Sequence, residues 1–160
     1  YDSCLLTYST LDKGETVAPG QLTISSMRNT YHANHIGAES AVFGVLSDEF
    51  VDDPMVTALN AATRYHGVDG VWVPLIARYV DEKPSDVIDA FRRISVAGYA
   101  VLGNAQTGVA QSLDLVKSSS PSGRIDTVRL EEGVLVGSWA GDLRQTFETI
   151  IGQEAPASLS

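Results

Sequence analysis

Apolar positions along this chain change their spacing from segment to segment, and the changes mark out alternating strands and helices. Leu5, Leu6 and Tyr8 read as the end of a short strand closed by the turn Asp12-Lys13-Gly14-Glu15, and Ala18-Pro19-Gly20-Gln21 makes a second break. A helix is predicted from about Ser25 to His35, on a thin apolar stripe of Ile24, Met27 and Tyr31. Ala41-Val42-Phe43-Gly44-Val45-Leu46 is a nearly continuous apolar run, as in a strand covered on both faces. Pro54 then suits a first helical turn, Met55, Leu59 and Ala62 recur at helical spacing, and Gly67 ends the segment. Val71-Trp72-Val73-Pro74-Leu75 supplies the next buried strand, with Pro74 limiting its backbone pairing.

The alternation continues. Pro84 opens a predicted helix with Val87, Ile88, Phe91 and Ile94 on one face, Tyr99-Ala100-Val101-Leu102 reads as a strand, and Val109 to Val116 as another helix. After the break Ser118 to Gly123, Ile125 to Leu130 and Val134 to Val136 are expected to form a hairpin across Glu131-Glu132-Gly133. A last helix from about Asp142 to Ile151 presents Leu143, Phe147 and Ile150 together. Strand and helix thus alternate as in an α/β fold with a predominantly parallel sheet, right-handed crossovers and helices on both faces. Residues 1–38 read as an appendage or connector, 39–152 as one domain and 153–160 as a flexible tail.

Composition narrows the partners. Eleven basic against twenty acidic residues give a net charge of -9, which makes extended contact with a nucleic-acid backbone unfavourable. Cys4 is the only cysteine, so no internal disulfide forms, which fits a reducing compartment. No apolar run approaches the roughly 20 residues of a bilayer span, and the first residues do not read as a signal peptide. The chain starts at Tyr1 without a methionine and is read as a fragment.

Candidate chemistry is sparse. His32 and His35 share one face of a predicted helix, but without a zinc signature around them they read as solvent-facing or connector histidines. His66, beside Gly67, reads as a surface residue at a helix end. The acidic run 48–53 lacks the alternating oxygen ligands of a calcium loop and is expected to be a solvated turn, with Asp53 favouring the following helix. Gly44, Gly98 and Gly103 stand alone rather than in a glycine-rich phosphate turn, so no nucleotide cofactor and no metal are expected. Trp72 reads as core, while Trp139 is open between packing and an exposed contact, and Tyr99 is open in the same way with its strand favouring packing.

Phe43-Gly44, Pro54-Met55, Gly67 with Val71-Trp72-Val73-Pro74-Leu75, Gly98-Tyr99-Ala100-Val101, Asp126-Thr127-Val128 and Leu135-Val136-Gly137 follow one another as in the N-terminal, substrate-binding domain of shikimate dehydrogenases, which residues 41–142 resemble. The resemblance implies that family's fold, but its polar residues are replaced. Glu49, Asp52 and Asp53 crowd the loop where the family has paired serines, and Thr57-Ala58 stand for a histidine-asparagine pair. Gln106 falls at the catalytic lysine, Asp126 at a substrate-binding amide, and Gly141 at the catalytic aspartate, with Asp142 shifted by one. A glutamine amide can hydrogen-bond but cannot titrate in the useful range. The resemblance therefore implies no catalytic residue, and it leaves ligand-binding residues unassigned.

Ala18-Pro19-Gly20-Gln21-Leu22-Thr23 resembles the final active-site loop of type I dehydroquinate dehydratases, with Gln21 at a substrate-contacting glutamine. The order of a dehydratase-like end before a dehydrogenase-like domain, with degraded sites, resembles the fungal quinate repressor family. It implies a noncatalytic pseudoenzyme acting as a transcriptional repressor module of quinate metabolism. Its partners would be a pathway-specific transcriptional activator protein and a quinate or shikimate-pathway metabolite, with no direct DNA contact and no membrane, in the nucleus and/or cytoplasm. The alternative is a degenerate structural domain of a multifunctional shikimate-pathway enzyme.

Overall fold

Alternation along Ala41–Ser47 (β1) builds two cores at once. Phe43 and Val45 point to one side, Leu46 to the other, and all three are fully buried. The structure, a computed structural model, describes residues 11, 21–48, 53–76, 96–141 and 146–147. β1 lies between Gly70–Ile76 (β2) and Val96–Val101 (β3), parallel to both. The hairpin Thr127–Glu131 (β5) and Val134–Ser138 (β6) adds antiparallel to β3, and the short strand Leu115–Val116 (β4) pairs parallel with β6. The strand order is β2-β1-β3-β5-β6-β4. The fold is therefore mixed α/β, with the expected parallel core around β1 and antiparallel pairing where the hairpin enters.

Helix α1 (Asp53–Tyr65) covers the first face, placing Val56 and Leu59 against Phe43, Val45, Trp72 and Ala100. It ends where Gly67 takes φ +70, a left-handed conformation that glycine adopts without strain. Asn60 of α1 is buried and holds the backbone of Trp72 from both sides: its Oδ1 accepts from the Trp72 N–H at 2.8 Å and its Nδ2 donates to the Trp72 carbonyl at 3.0 Å. Phe147, helical as the last segment predicts, stacks on Trp72 with 6.2 Å between ring centroids. The other face is covered by the one-turn helix α2 (Ala105–Gly108) and a 3-10 turn at Val109–Ser112, with Tyr99, Val101, Ile125, Val128 and Leu135 beneath. Trp72 and Tyr99 are core residues, as expected.

Gly44 lets these layers meet. A Cβ there would collide with the Leu75 side chain and lie 2.8 Å from Tyr99 Cδ1. Gly44→Ala is expected to cost about 2 kcal/mol through overpacking, read as a lowered urea midpoint at unchanged slope.

Two predicted helices take other forms. Ser25 to His35 divides into a π-helical turn at Ser26–Thr30 and a 3-10 turn at Ala33–His35, with His32 at φ +50 between them. The stripe there is too thin to hold one straight helix against α1. Val109 to Val116 leaves the helix early because the backbone of residues 114–117 is taken by β6. Asp114 N–H donates to the Leu135 carbonyl at 3.0 Å, and the Asp114 carboxylate accepts from the Leu135 N–H at 2.8 Å. The hairpin forms as predicted on a two-residue turn, Glu132 and Gly133, both at positive φ. The strand at Leu5 to Tyr8, the helix from Pro84, most of the acidic run, most of the last helix and the tail lie outside the described residues.

Candidate functional site

Strand direction decides which residues meet. β1 and β3 run the same way, and β5 runs against β3, so the start of β5 lies beside the end of β3: Val101 N–H donates to the Asp126 carbonyl at 2.8 Å. β6 reverses again and brings its end back, with Asp126 N–H donating to the Ser138 carbonyl at 3.2 Å. One edge of the sheet thus gathers the segments after β1, after β3, before β5 and after β6. Ligands of open α/β sheets bind at the carboxyl ends of the parallel strands.

Four polar groups define this edge. After β1, the Asp48 carboxylate accepts from Asn104 N–H at 3.2 Å and Asn104 Nδ2 at 2.7 Å. Gly103 between β3 and Asn104 sits at φ +60, and a Cβ there would come 2.6 Å from Asp48 Oδ1, so the approach requires glycine. Gln106, on α2, donates from Nε2 to the Val101 carbonyl at 3.0 Å, while its own carbonyl accepts from Ile125 N–H at 2.9 Å. Asp126 is buried, and its carboxylate accepts from Ala140 N–H at 2.7 Å, Gly141 N–H at 2.8 Å and Thr127 Oγ1 at 3.0 Å. At the rim, the Arg124 guanidinium lies over Trp139, 5.1 Å from the ring centroid.

Gln106, Asp126 and Gly141, separated by up to 35 positions, are therefore brought together as the resemblance expects. Asp126, however, is turned inward as a clasp on the 140–141 backbone, and Gly141 contributes an amide rather than a side chain. Thr57 and Ala58 do not join them: both are exposed on α1, and the Thr57 hydroxyl meets that of Thr30 at 3.2 Å. Asp142 and residues 49–52 lie outside the described residues, and no side-chain position is described for Asp53. Trp139 is half-buried under Arg124, which combines the two options open for it. Sequence spacing did not expose Asp48, Asn104 or Arg124, because their contacts close across the sheet edge.

The histidines sit elsewhere. His66 is exposed, with its ring 5.4 Å from Tyr65 and 5.9 Å from Phe147. His32 and His35 face a cavity away from the strand ends, and among the described residues no group of three metal-ligating side chains forms. No described helix is long and apolar enough to cross a membrane. Gln21 is half-buried; nothing places it at the strand-end edge.

No protein-family model matches the chain. It is 28% identical over 135 residues to the chloroplastic bifunctional 3-dehydroquinate dehydratase/shikimate dehydrogenase of Arabidopsis thaliana, spanning 82% of this chain and 22% of that protein. In structure it is similar to shikimate 5-dehydrogenase of Listeria monocytogenes in complex with shikimate and NAD, with a TM-score of 0.56 at 25% identity over 66% of this chain and 36% of that one. It is also similar to quinate dehydrogenase of Corynebacterium glutamicum in complex with NAD, with a TM-score of 0.52 at 18% identity over 61% of this chain and 36% of the other. The architecture is shikimate-dehydrogenase-like. The chain spans about a fifth of the curated relative and about a third of these solved chains.

These relatives are enzymes, and that finding corrects the reading of function from replaced residues. A transcriptional repressor module, a pseudoenzyme and a partnership with an activator protein were read from replaced polar residues together with a dehydratase-like end before the dehydrogenase-like domain. The comparisons point instead to shikimate-pathway enzymes that handle substrate, which lies nearer the alternative of a multifunctional enzyme's domain. The physical reason is that replacement of individual polar groups at strand ends leaves the sheet that positions a substrate intact.

Proposed function

We propose that this chain supplies the substrate-binding lobe of a shikimate-pathway enzyme of the dehydrogenase kind, and that its ligand is a hydroxylated cyclic carboxylate. The observation that supports this most directly is the gathering of Asp48, Asn104, Gln106, Asp126 and Arg124 along one strand-end edge. The Asp48-Asn104 pair offers a carboxylate to accept from, and an amide to donate to, ring hydroxyls. Gln106 adds a second amide, and Arg124 is the cation for the ligand's carboxylate. The structural similarity to a dehydrogenase in complex with shikimate supports the same substrate class.

Among the described residues no cradle for the phosphates of a nicotinamide dinucleotide forms. Gly44 lies inside β1, where it permits packing, Gly98 lies inside β3, and Gly103 makes way for Asp48, so none of the three forms a phosphate cradle between a strand and a long helix.

Calorimetric titration with shikimate tests the reading. Saturable heat is expected from shikimate and none from cyclohexanecarboxylate, which lacks the hydroxyls. Asp48→Ala is expected to weaken shikimate binding by about tenfold or more, since a hydrogen bond to a charged group contributes about 1.5–3 kcal/mol. A folded chain that gives no saturable heat with millimolar shikimate would refute it.

A further inference from the structure

On the side of the molecule built by the connector and α1, a cavity of about 550 Å³ is lined by Arg28, Asn29, His32, Asn34, His35 and Arg64. Among the described residues no carboxylate lines it, although acidic residues outnumber basic ones twenty to eleven in the whole chain. Among the described residues neither guanidinium is paired with a carboxylate. Instead Arg64 Nη1 lies 2.9 Å from His32 Nδ1, while the same nitrogen lies 3.1 Å from the Arg28 carbonyl. Nδ1 cannot accept from the guanidinium and donate to the carbonyl at once, so one contact is unfavourable in either tautomer. His32 is also held at φ +50, a left-handed conformation unfavourable for a residue with a Cβ. Strain of this kind collects at ligand clamps.

We propose that this cavity is an oxyanion site for the phosphate group of a small molecule, clamped between the connector and the last turn of α1. Arg28 and Arg64 offer planar forks that match phosphate oxygens, and Asn29 and Asn34 add amide donors. Together they present more N–H groups than the two oxygens of a carboxylate can take. The volume leaves room for an organic portion beyond the phosphate. The anion replaces His32 as the partner of Arg64 and resolves the conflict at Nδ1.

Proton linkage follows with a definite sign. Without an anion, burial first and the Arg64 charge second hold His32 below its ordinary 6.5, against a smaller opposing effect of the Arg28 carbonyl, with His35 adding least in the lowering direction. Neutral His32 then favours the docked connector, and that contribution fades as pH falls below 6.5. A bound phosphate adds negative charge beside the imidazole and reverses the direction, so phosphate binding strengthens as His32 protonates.

The test is an NMR titration of the whole chain with sodium phosphate at constant ionic strength, with chloride and acetate as parallel arms. Saturable shifts are expected at residues 28–35 and at Arg64, with the His32 titration moving upward in phosphate. Glycerol 2-phosphate tighter than phosphate identifies an organic phosphate, and equal affinity identifies the free ion; both support the site. Arg64→Gln is expected to weaken phosphate binding by about tenfold or more. His32→Gly, whose backbone tolerates positive φ, is expected to keep the fold and reduce the pH dependence to that of the phosphate's own ionisation and of His35. Phosphate shifts no stronger than those of acetate or chloride, or unchanged affinity in a folded Arg64→Gln chain, would overturn the proposal.

Discussion

Trp72→Ala is expected to lower the free energy of unfolding by about 3–5 kcal/mol, the usual loss for emptying a large aromatic site in a close-packed core. Trp72 is wholly buried, with Phe43 stacked at 5.1 Å and Phe147 at 6.2 Å between centroids. Its indole N–H donates to Thr63 Oγ1 at 2.9 Å, and Thr63 in turn donates to the Leu59 carbonyl at 2.8 Å. Truncation removes the plate between β1 and the segment containing Phe147, and leaves the Thr63 oxygen without its donor. Trp72→Phe refills most of the space and should cost about 1–2 kcal/mol, chiefly from the lost hydrogen bond and residual volume. Urea unfolding of the three proteins measures the series; a loss below about 1 kcal/mol for alanine would show that the site collapses freely.

Asp126→Ala is expected to cost about 3 kcal/mol, because hydrogen bonds to an ionised acceptor are worth more than neutral ones and three end on this carboxylate. The more discriminating substitution is Asp126→Asn. The resemblance to shikimate dehydrogenases has an amide at this position, which would make the change benign. The geometry argues the opposite. A carboxamide has a single acceptor oxygen, so it satisfies either Ala140 or Gly141 and points its NH₂ at the other N–H. A loss of about 1–2 kcal/mol is expected, together with faster exchange of one of those two amides. An Asn variant as stable as the parent would mean that the clasp on the 140–141 backbone contributes nothing.

The legible parts of the fold were those whose signal is local and strongly periodic. β1 announced itself by an uninterrupted apolar run, α1 by Pro54, Leu59 and Gly67, and the hairpin by Glu132-Gly133 between alternating segments. The segment from Val109 to Val116 misled because its apolar spacing fits a helix, while its last residues are claimed by Leu135 and Gly137 of β6. A competing strand some 20 residues away leaves no trace in a local window. The candidate site was half legible for the same reason. Gln106, Asp126 and Gly141 could be located by resemblance, but the inward turn of Asp126 depends on where β6 ends. His32 and Arg64 are 32 positions apart, and nothing in either segment signals their meeting. The repressor reading failed at a further level, since it took the identity of a few strand-end side chains as evidence for a whole protein's role.

Asn60 and Pro74 together bear on a hazard that every terminal strand carries. Residues 72 and 74 of β2 turn their backbone groups toward the same side of the strand, away from β1. At Trp72 both groups are already occupied by the Asn60 amide, and at Pro74 there is no N–H to offer. An incoming strand from another molecule would find both backbone groups taken at residue 72 and the donor missing at residue 74. The β2 margin of the sheet is thus a poor template for cross-molecular β-pairing, guarded by one side-chain amide and one missing hydrogen.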